Sequence, residues 1–210
     1  MKEITFTAAA TRQWLKLSAV IRRRIDAKLT VYATNGSGDV KRLKGRAGCR
    51  LRVGDWRVIF IEDSASIIII AVGNRRDIYD GEDSAMNVRF KKTDKGEVAI
   101  LPRKDYEALA AKAAEADEDA GTARLIARAR KEIAAGAPLI PKTVVDRIAN
   151  GENALRALRE WRGQTQLHLS FKTKIGQGYL SDLENGRRKG TTAALKKIAD
   201  ALDVPLDLLV

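Results

Sequence analysis

Between Cys49 and Val72, three apolar runs are separated by short polar breaks. The runs are Cys49–Val53, Trp56–Glu62 and Ser66–Val72, with Gly54-Asp55 between the first two and Asp63-Ser64 between the others. Spacings this short close hairpins, so the segment predicts an antiparallel meander. The stretch Ile67–Ile70 is apolar at every position, which suits a central strand covered on both faces. Upstream, Glu3–Thr7 alternates as a short strand does. Two helical stretches follow at Ala8–Leu17 and Ala19–Ala33, with Trp14, Leu17, Ile21, Ile25 and Leu29 spaced by three and four. Asn35-Gly36-Ser37-Gly38 and Lys44-Gly45 mark a loop. The first part of the chain therefore predicts an α+β domain, a small antiparallel sheet packed on a helix pair.

This pattern stops at the polar stretch Gly81-Glu82-Asp83-Ser84-Ala85, and Met86 follows it like the old start of a second gene. A second hairpin is expected from Val88–Lys92 and Glu97–Leu101 around Asp94-Lys95-Gly96. Pro102 then opens a helix over Arg103–Ala116. Asp117-Glu118-Asp119 interrupts it, and Thr122–Ala135 resumes until Gly136-Ala137-Pro138, with Pro141 a further stop. Alanine-rich and thin in large apolar residues, this stretch reads as an arm that docks on something. From Asn153 onward the pattern is five short helices: one lined by Leu155, Leu158 and Trp161, then Gln164–Thr173, Gln177–Leu183, Thr192–Leu202 and Pro205–Leu209.

Composition narrows the function classes. The 210 residues carry a formal net charge of +12, half of it in residues 1–85, and a polyanion such as nucleic acid is the natural partner. One cysteine and one histidine exclude a disulfide framework and a Cys/His zinc cluster, so no metal or cofactor is implied. The longest apolar run, Ile67–Val72, is far short of a membrane span, and no apolar signal core follows Met1-Lys2-Glu3-Ile4; a cytoplasmic location is expected.

In the last part of the chain, Thr165-Gln166 opens a helix, a short turn follows, and Gln177-Gly178-Tyr179-Leu180-Ser181 opens another that Asn185-Gly186 closes. This resembles the helix-turn-helix domain of the Xre/Cro type, found in many repressors and in HigA-like antitoxins. The string Tyr179-Leu180-Ser181-Asp182-Leu183-Glu184-Asn185-Gly186 is its most specific part. The resemblance implies that Gln177, Tyr179 and Ser181 read base edges. Gln166, Arg187, Arg188 and Lys189 would hold phosphates of operator DNA. Two positions depart from the usual pattern: Lys174 stands where a turn glycine is common and Gly176 where a capping serine is common. His168 is expected to face solvent or DNA, and Cys49 to pack rather than react.

In the first part, Arg50 and Arg52 share a strand face, the hairpin at Gly54-Asp55 brings Arg57 near them, and the next strand delivers Arg75 just past its end. Guanidinium groups that converge repel one another, so an anion normally justifies them. The strings Leu43-Lys44-Gly45, Arg50-Leu51-Arg52-Val53-Gly54-Asp55-Trp56-Arg57-Val58-Ile59-Phe60 and Val72-Gly73-Asn74-Arg75-Arg76-Asp77-Ile78-Tyr79 resemble the RelE/ParE toxin superfamily. By that resemblance, Arg50, Arg52, Arg57, Arg75 and Tyr79 fall where ribosome-dependent RelE ribonucleases carry their functional residues. Those enzymes cut messenger RNA on the ribosome by 2′-hydroxyl attack on the adjacent phosphate. Arg57 and Arg75 would stabilise the phosphorane, Arg50 and Arg52 would hold flanking phosphates, and Tyr79 would stack on a base or take part in proton transfer. The ParE branch of the same fold inhibits DNA gyrase instead and is no nuclease. Together the resemblances imply a fused toxin–antitoxin in the HigBA order. The expected parts are a toxin at 1–82, an arm at 86–150 and an all-α helix-turn-helix domain at 152–210. The implied partners are operator DNA bound as a homodimer, a toxin–antitoxin contact within or between chains, and the ribosome with its messenger RNA. An acidic turn at 117–119 could lie across the arginines as a phosphate mimic.

Overall fold

The computed structural model describes residues 1–43, 48–75, 78, 89–93, 96–100, 102–103 and 118–209. Strand β1 (Glu3–Phe6) leads into α1 (Ala8–Lys16) and α2 (Ala19–Asn35). Each helix starts where a hydroxyl supplies the missing acceptor: Thr7 accepts from the Ala10 N–H and Ser18 from that of Ile21. Gly36, at φ 73°, ends α2 in the left-handed conformation that a side chain would strain.

The sheet then builds through β2 (Val40–Arg42), β3 (Cys49–Val53), β4 (Trp56–Glu62) and β5 (Ser66–Asn74), all paired antiparallel. The three strands expected from the meander are present. Strand β2 was hidden from the sequence by its Gly-Ser-Gly approach and its short, charged make-up. β1 runs parallel to β5, with Ile4 beside Ile67 and Phe6 beside Ile69, so the sheet is mixed rather than wholly antiparallel. As expected of an all-apolar run, β5 lies inside the sheet and is covered on both faces. One face carries Phe6, Phe60, Ile67 and Ile69, packed on Trp14 of α1 and on Ile25 and Leu29 of α2. The other carries Ile59, Ile70 and Ala71.

The expected second hairpin forms as β6 (Arg89–Thr93) and β7 (Gly96–Ile100), a separate two-stranded sheet. The helix expected over Arg103–Ala116 lies outside the described residues beyond Arg103. Helix α3 (Glu118–Ala134) contains the resumed helical pattern. Glu118 and Asp119 fall within this helix rather than in an interrupting turn; Asp117 lies outside the described residues.

Two further elements escaped the sequence reading. β8 (Ile140–Pro141) adds to the far side of β1 with Ile140 opposite Phe6, and α4 (Lys142–Ala149) follows at once. Pro141, read as a stop, instead serves as the N-cap of α4. Ile140 and Val145 are fully buried, each contributing about 2 kcal/mol by burial. The C-terminal helices are α5 (Ala154–Trp161), α6 (Gln166–Thr173), α7 (Gln177–Glu184) and α8 (Thr192–Leu202), with a 3₁₀ turn at Leu206–Leu208. Their core, Leu155, Leu158, Leu169, Leu180, Ile198 and Leu202, is continuous with that of α1, α2 and the sheet through Val144 and Val145. Polar links reinforce the seam. Arg12 pairs with Asp207, the Arg22 Nη2 donates to the Ala149 carbonyl at 3.0 Å, and Lys142 bridges Asp26 and Asp146 at 2.6 Å each. Among the described residues, no helix is long and apolar enough to cross a membrane.

Candidate functional site

The register of β2, β3 and β4 decides which cations meet. Lys41 pairs with Arg50, and Arg52 pairs with Arg57. Cross-strand partners project to the same side, as do residues two apart, so Lys41, Arg50, Arg52 and Arg57 share one sheet face. Arg57 in turn pairs with Gly73 on β5. Gly73 lies close under Ile78: a Cβ there would stand 3.0 Å from the Cβ of Ile78, which would have to give way. Arg75 follows at the end of β5, its N–H donating to the Asp55 carbonyl at 2.8 Å, which ties this end to the β3–β4 turn. Of the five residues read as a toxin site, Arg50, Arg52 and Arg57 thus come together with Arg75 at their edge. Tyr79 lies outside the described residues.

These arginines stand in different environments. Arg52 and Arg75 are exposed. Arg57 is buried, its Nη1 donating to the carbonyls of Gly54 at 2.9 Å and Trp56 at 3.1 Å. Arg50 is 1% exposed, and its Nη1 donates to the Thr122 hydroxyl at 3.3 Å. Helix α3 does the covering. Thr122 is fully buried, and Ala123, Ile126 and Ala129 pack on Leu43, Ile59, Ile70, Ala71 and Ile78. The fit is close at Gly48, where a Cβ would lie only 2.0 Å from Ile126 Cδ1.

Sequence reasoning missed Lys41, Thr122 and Ile126. Lys41 was lost with β2. Thr122 and Ile126 carried a usable signal, since Thr122, Ile126 and Ala129 recur at helical spacing on an arm expected to dock. Chemically, the face can hold and neutralise phosphate oxygens. Arginine stays protonated at neutral pH and accepts no proton, and the chain's one histidine is His168, far along the sequence.

At the opposite end of β4, Glu62 gathers a second polar group. It accepts from Lys2 Nζ at 2.6 Å, the Tyr32 hydroxyl at 2.8 Å, Arg42 Nη2 at 2.8 Å and the Cys49 thiol at 3.6 Å. Burial pushes the Glu62 carboxyl up, but the hydrogen bonds from Lys2 and Tyr32 and the charge of Arg42 outweigh it and hold the group below its ordinary value. Burial and the same carboxylate push Tyr32 to about 12 and Cys49 to about 11. Cys49 is buried and protonated at neutral pH, as a packing residue is. Among the described residues, no cluster of His, Cys, Asp and Glu could hold a metal ion.

In the C-terminal part, α6 and α7 form the expected helix–turn–helix. Thr165 caps α6, accepting from the His168 N–H. Lys174 takes the left-handed turn position at φ 57°, and Gly176 caps α7 with no side-chain bond, so both departures seen in the sequence have structural counterparts. A buried ion pair fixes α7 to α5: Arg159 donates to Glu184 at 2.6 and 3.0 Å and to the Gln164 carbonyl at 2.6 Å. Gln166 joins this network, its Nε2 donating to Glu184 at 2.8 Å. The Gln166 amide nitrogen is thus turned inward, leaving its oxygen as the polar atom uncommitted to that bond.

Gln177 is exposed on the first turn of α7, and Tyr179 and Ser181 are half-buried on the same helix. Asn185 Nδ2 donates to the Ser181 carbonyl at 2.8 Å and hydroxyl at 3.3 Å. Past the helix, Arg187 and Arg188 both approach Asp182, at 3.7 and 3.3 Å, and Arg188 lies 5.8 Å from the Tyr179 ring centre. Lys189 is exposed, as are Arg187, Arg188 and His168. The structure therefore collects Gln177, Tyr179, Ser181, Arg187, Arg188 and Lys189 along α7 and the turn after it.

Comparison with known proteins follows this division. Residues 4–79 match the family described as ParE toxin of type II toxin-antitoxin system, parDE, and residues 155–209 match the helix-turn-helix family. The chain is a toxin–antitoxin fusion: a RelE/ParE-superfamily toxin domain precedes a helix-turn-helix domain of the Xre type. The C-terminal part is 33% identical over 58 residues to the transcriptional regulator ClgR of Mycobacterium tuberculosis, in strains CDC 1551 / Oshkosh and ATCC 25618 / H37Rv. That stretch is 28% of this chain, which spans about half (52%) of the length of these curated relatives. Among solved structures, the RelB-RelE antitoxin-toxin complex from Methanococcus jannaschii matches at 25% identity with a TM-score of 0.32, over 37% of this chain and 98% of the other.

Proposed function

We propose that this protein is a self-neutralised toxin of the HigBA type. Its first part, about residues 1–82, is a latent ribosome-dependent messenger RNA endoribonuclease. The arm, about 86–150, silences it, and residues 152–210 bind operator DNA as a homodimer and repress transcription. The observation that carries this reading is the position of α3, whose Thr122 bonds the buried Arg50 while Ile126 seals the sheet beside it. The arm acts in cis, and tethering holds its local concentration near the millimolar range. The described part of the arm supplies a hydroxyl, from Thr122, and apolar cover, from Ala123, Ile126 and Ala129.

On this reading Arg57 and Arg75 neutralise the phosphorane formed when the 2′-hydroxyl attacks, while Arg50 and Arg52 hold the flanking phosphates. No proton acceptor suited to neutral pH stands beside them among the described residues. Ordering of the RNA by the ribosome therefore supplies much of the rate.

A second reading, that the toxin half poisons DNA gyrase, is favoured by the match of residues 4–79 to the ParE family. The two separate in a chain whose arm has been displaced by Ile126→Asp with Ala129→Asp. A ribonuclease loses its toxicity by at least about 100-fold on Arg57→Ala or Arg75→Ala, and its arrest is accompanied by new 5′ ends inside translated codons. Arrest without such ends, unmoved by either arginine change, identifies the gyrase reading.

The repressor half has its own test. Arg187→Ala weakens operator binding across all sequences and lowers the slope of log affinity against log salt by about 1. An unchanged slope contradicts the phosphate role of Arg187.

A further inference from the structure

One carboxylate stands where a DNA interface is least suited to it. Asp182 follows Ser181 directly on α7, and its side chain is 28% exposed. The other acid of α7, Glu184, is buried and engaged by Arg159 and Gln166. A negative charge on a helix that approaches phosphates is repelled by them, so Asp182 lowers affinity unless it has another role.

Its surroundings supply one. The carboxylate approaches Arg187 at 3.7 Å and Arg188 at 3.3 Å, although both arginines are otherwise well exposed. Held there, the Arg188 guanidinium lies over the Tyr179 ring, 5.8 Å from its centre. The shape of the turn has its own support. Gly186, at φ 68°, reverses the chain, and the Asp182 carbonyl accepts from the Arg187 N–H at 2.9 Å and the Arg188 N–H at 3.4 Å. What the carboxylate adds to these main-chain bonds is a hold on two guanidinium groups. Exposed pairs of this kind are weak enough for a phosphate to replace.

We propose that Asp182 is an internal stand-in for a DNA phosphate, which a duplex must displace before Arg187 and Arg188 can serve it. In the unbound chain it engages both arginines and keeps Tyr179 beneath one of them. On binding, backbone phosphates take the arginines, the Tyr179 ring is uncovered, and the carboxylate is left facing the duplex without its cations. Asp182 thereby sets a threshold on the affinity of a basic chain for DNA of any sequence. The proposal rests on the reading of residues 152–210 as DNA-binding, but it concerns affinity for any duplex, not recognition of the operator.

The test uses the full chain and a fluorescent duplex of about 20 base pairs of arbitrary sequence, titrated by anisotropy at several salt concentrations. Asp182→Asn keeps the main-chain bonds and removes the charge. It is expected to tighten binding at least about 5-fold at low salt. The slope of log affinity against log salt is expected to steepen by about 0.9, the value for one more phosphate neutralised on a duplex. Asp182→Glu, which keeps a carboxylate within reach, stays with the parent, and thermal melting is the same for all three chains. In a chain already carrying Arg187→Ala and Arg188→Ala, most of the gain from Asp182→Asn disappears.

Unchanged affinity and slope overturn the proposal. So does an equal gain with and without the two arginines, since Asp182 then acts only by repelling DNA. Weaker binding by Asp182→Asn overturns it as well, because the carboxylate then contributes a contact of its own to DNA. The operator reading fails separately: the parent chain would enrich no sequence from a random pool of duplexes, while the arbitrary duplex still reports on Asp182.

Discussion

At the scale of single residues, one carboxylate shows how local polarity is settled in this fold. Glu62 sits at the end of β4 among Lys2, Tyr32, Arg42 and Cys49, four donors that only an ionised carboxylate satisfies together. Its folded pKa is depressed, so the stabilisation it supplies is complete above its ordinary unfolded value near ~4.3 and is lost as pH falls through the folded value. Tyr32 and Cys49 are displaced upward and stay protonated through neutrality. Urea unfolding at pH 7 should therefore find Glu62→Gln destabilised by about 2 kcal/mol, and the gap should close steadily below about pH 4. A gap that stays constant down to pH 3 would mean that the charge of Glu62 contributes nothing. None of this was legible in the sequence, because Lys2, Tyr32, Arg42 and Cys49 are spread over 48 positions and only the fold gathers them. The arginines were legible: Arg50, Arg52 and Arg57 sit two apart on a strand or across a tight turn, where spacing alone fixes the face.

Elements that announce themselves by local pattern are where sequence and structure agree. The meander of β3, β4 and β5, the two capped helices α1 and α2, and the C-terminal helices all carry periodicity, caps or turn residues of their own. Those that differ are short and draw their stability from a neighbour. β2 has three residues and β8 two, and α4 follows a proline that in isolation reads as an ending. β8 exists because β1 offers a free edge and Phe6 a surface for Ile140, a condition invisible from residues 140 and 141 alone. The turn between α6 and α7 is a case where the pattern was read and the strain is real. Lys174 holds φ 57° with a Cβ present, at about 1 kcal/mol relative to glycine. Lys174→Gly should raise the unfolding free energy of the chain by up to about that amount, measured by denaturant titration. A loss of stability would show that the lysine side chain contributes more than its backbone costs.

On the scale of the whole molecule, the two ends are not beads on a string. β8 and α4 carry the chain from the arm into the toxin sheet and on into the helix-turn-helix domain, so one core serves both. α3, meanwhile, lies on the face where the cations collect. On the proposed reading, inhibition is built from the same packing that holds the chain together, and it should yield to changes on the arm's apolar face. Full-length chains, parent and Ile126→Asp with Ala129→Asp, should be induced in cells while growth and the 5′ ends of messenger RNA are followed. The account predicts steady growth with the parent, and arrest with new cuts inside translated codons for the variant. Uninterrupted growth with the variant, its chain folded and its arm demonstrably displaced, would contradict it.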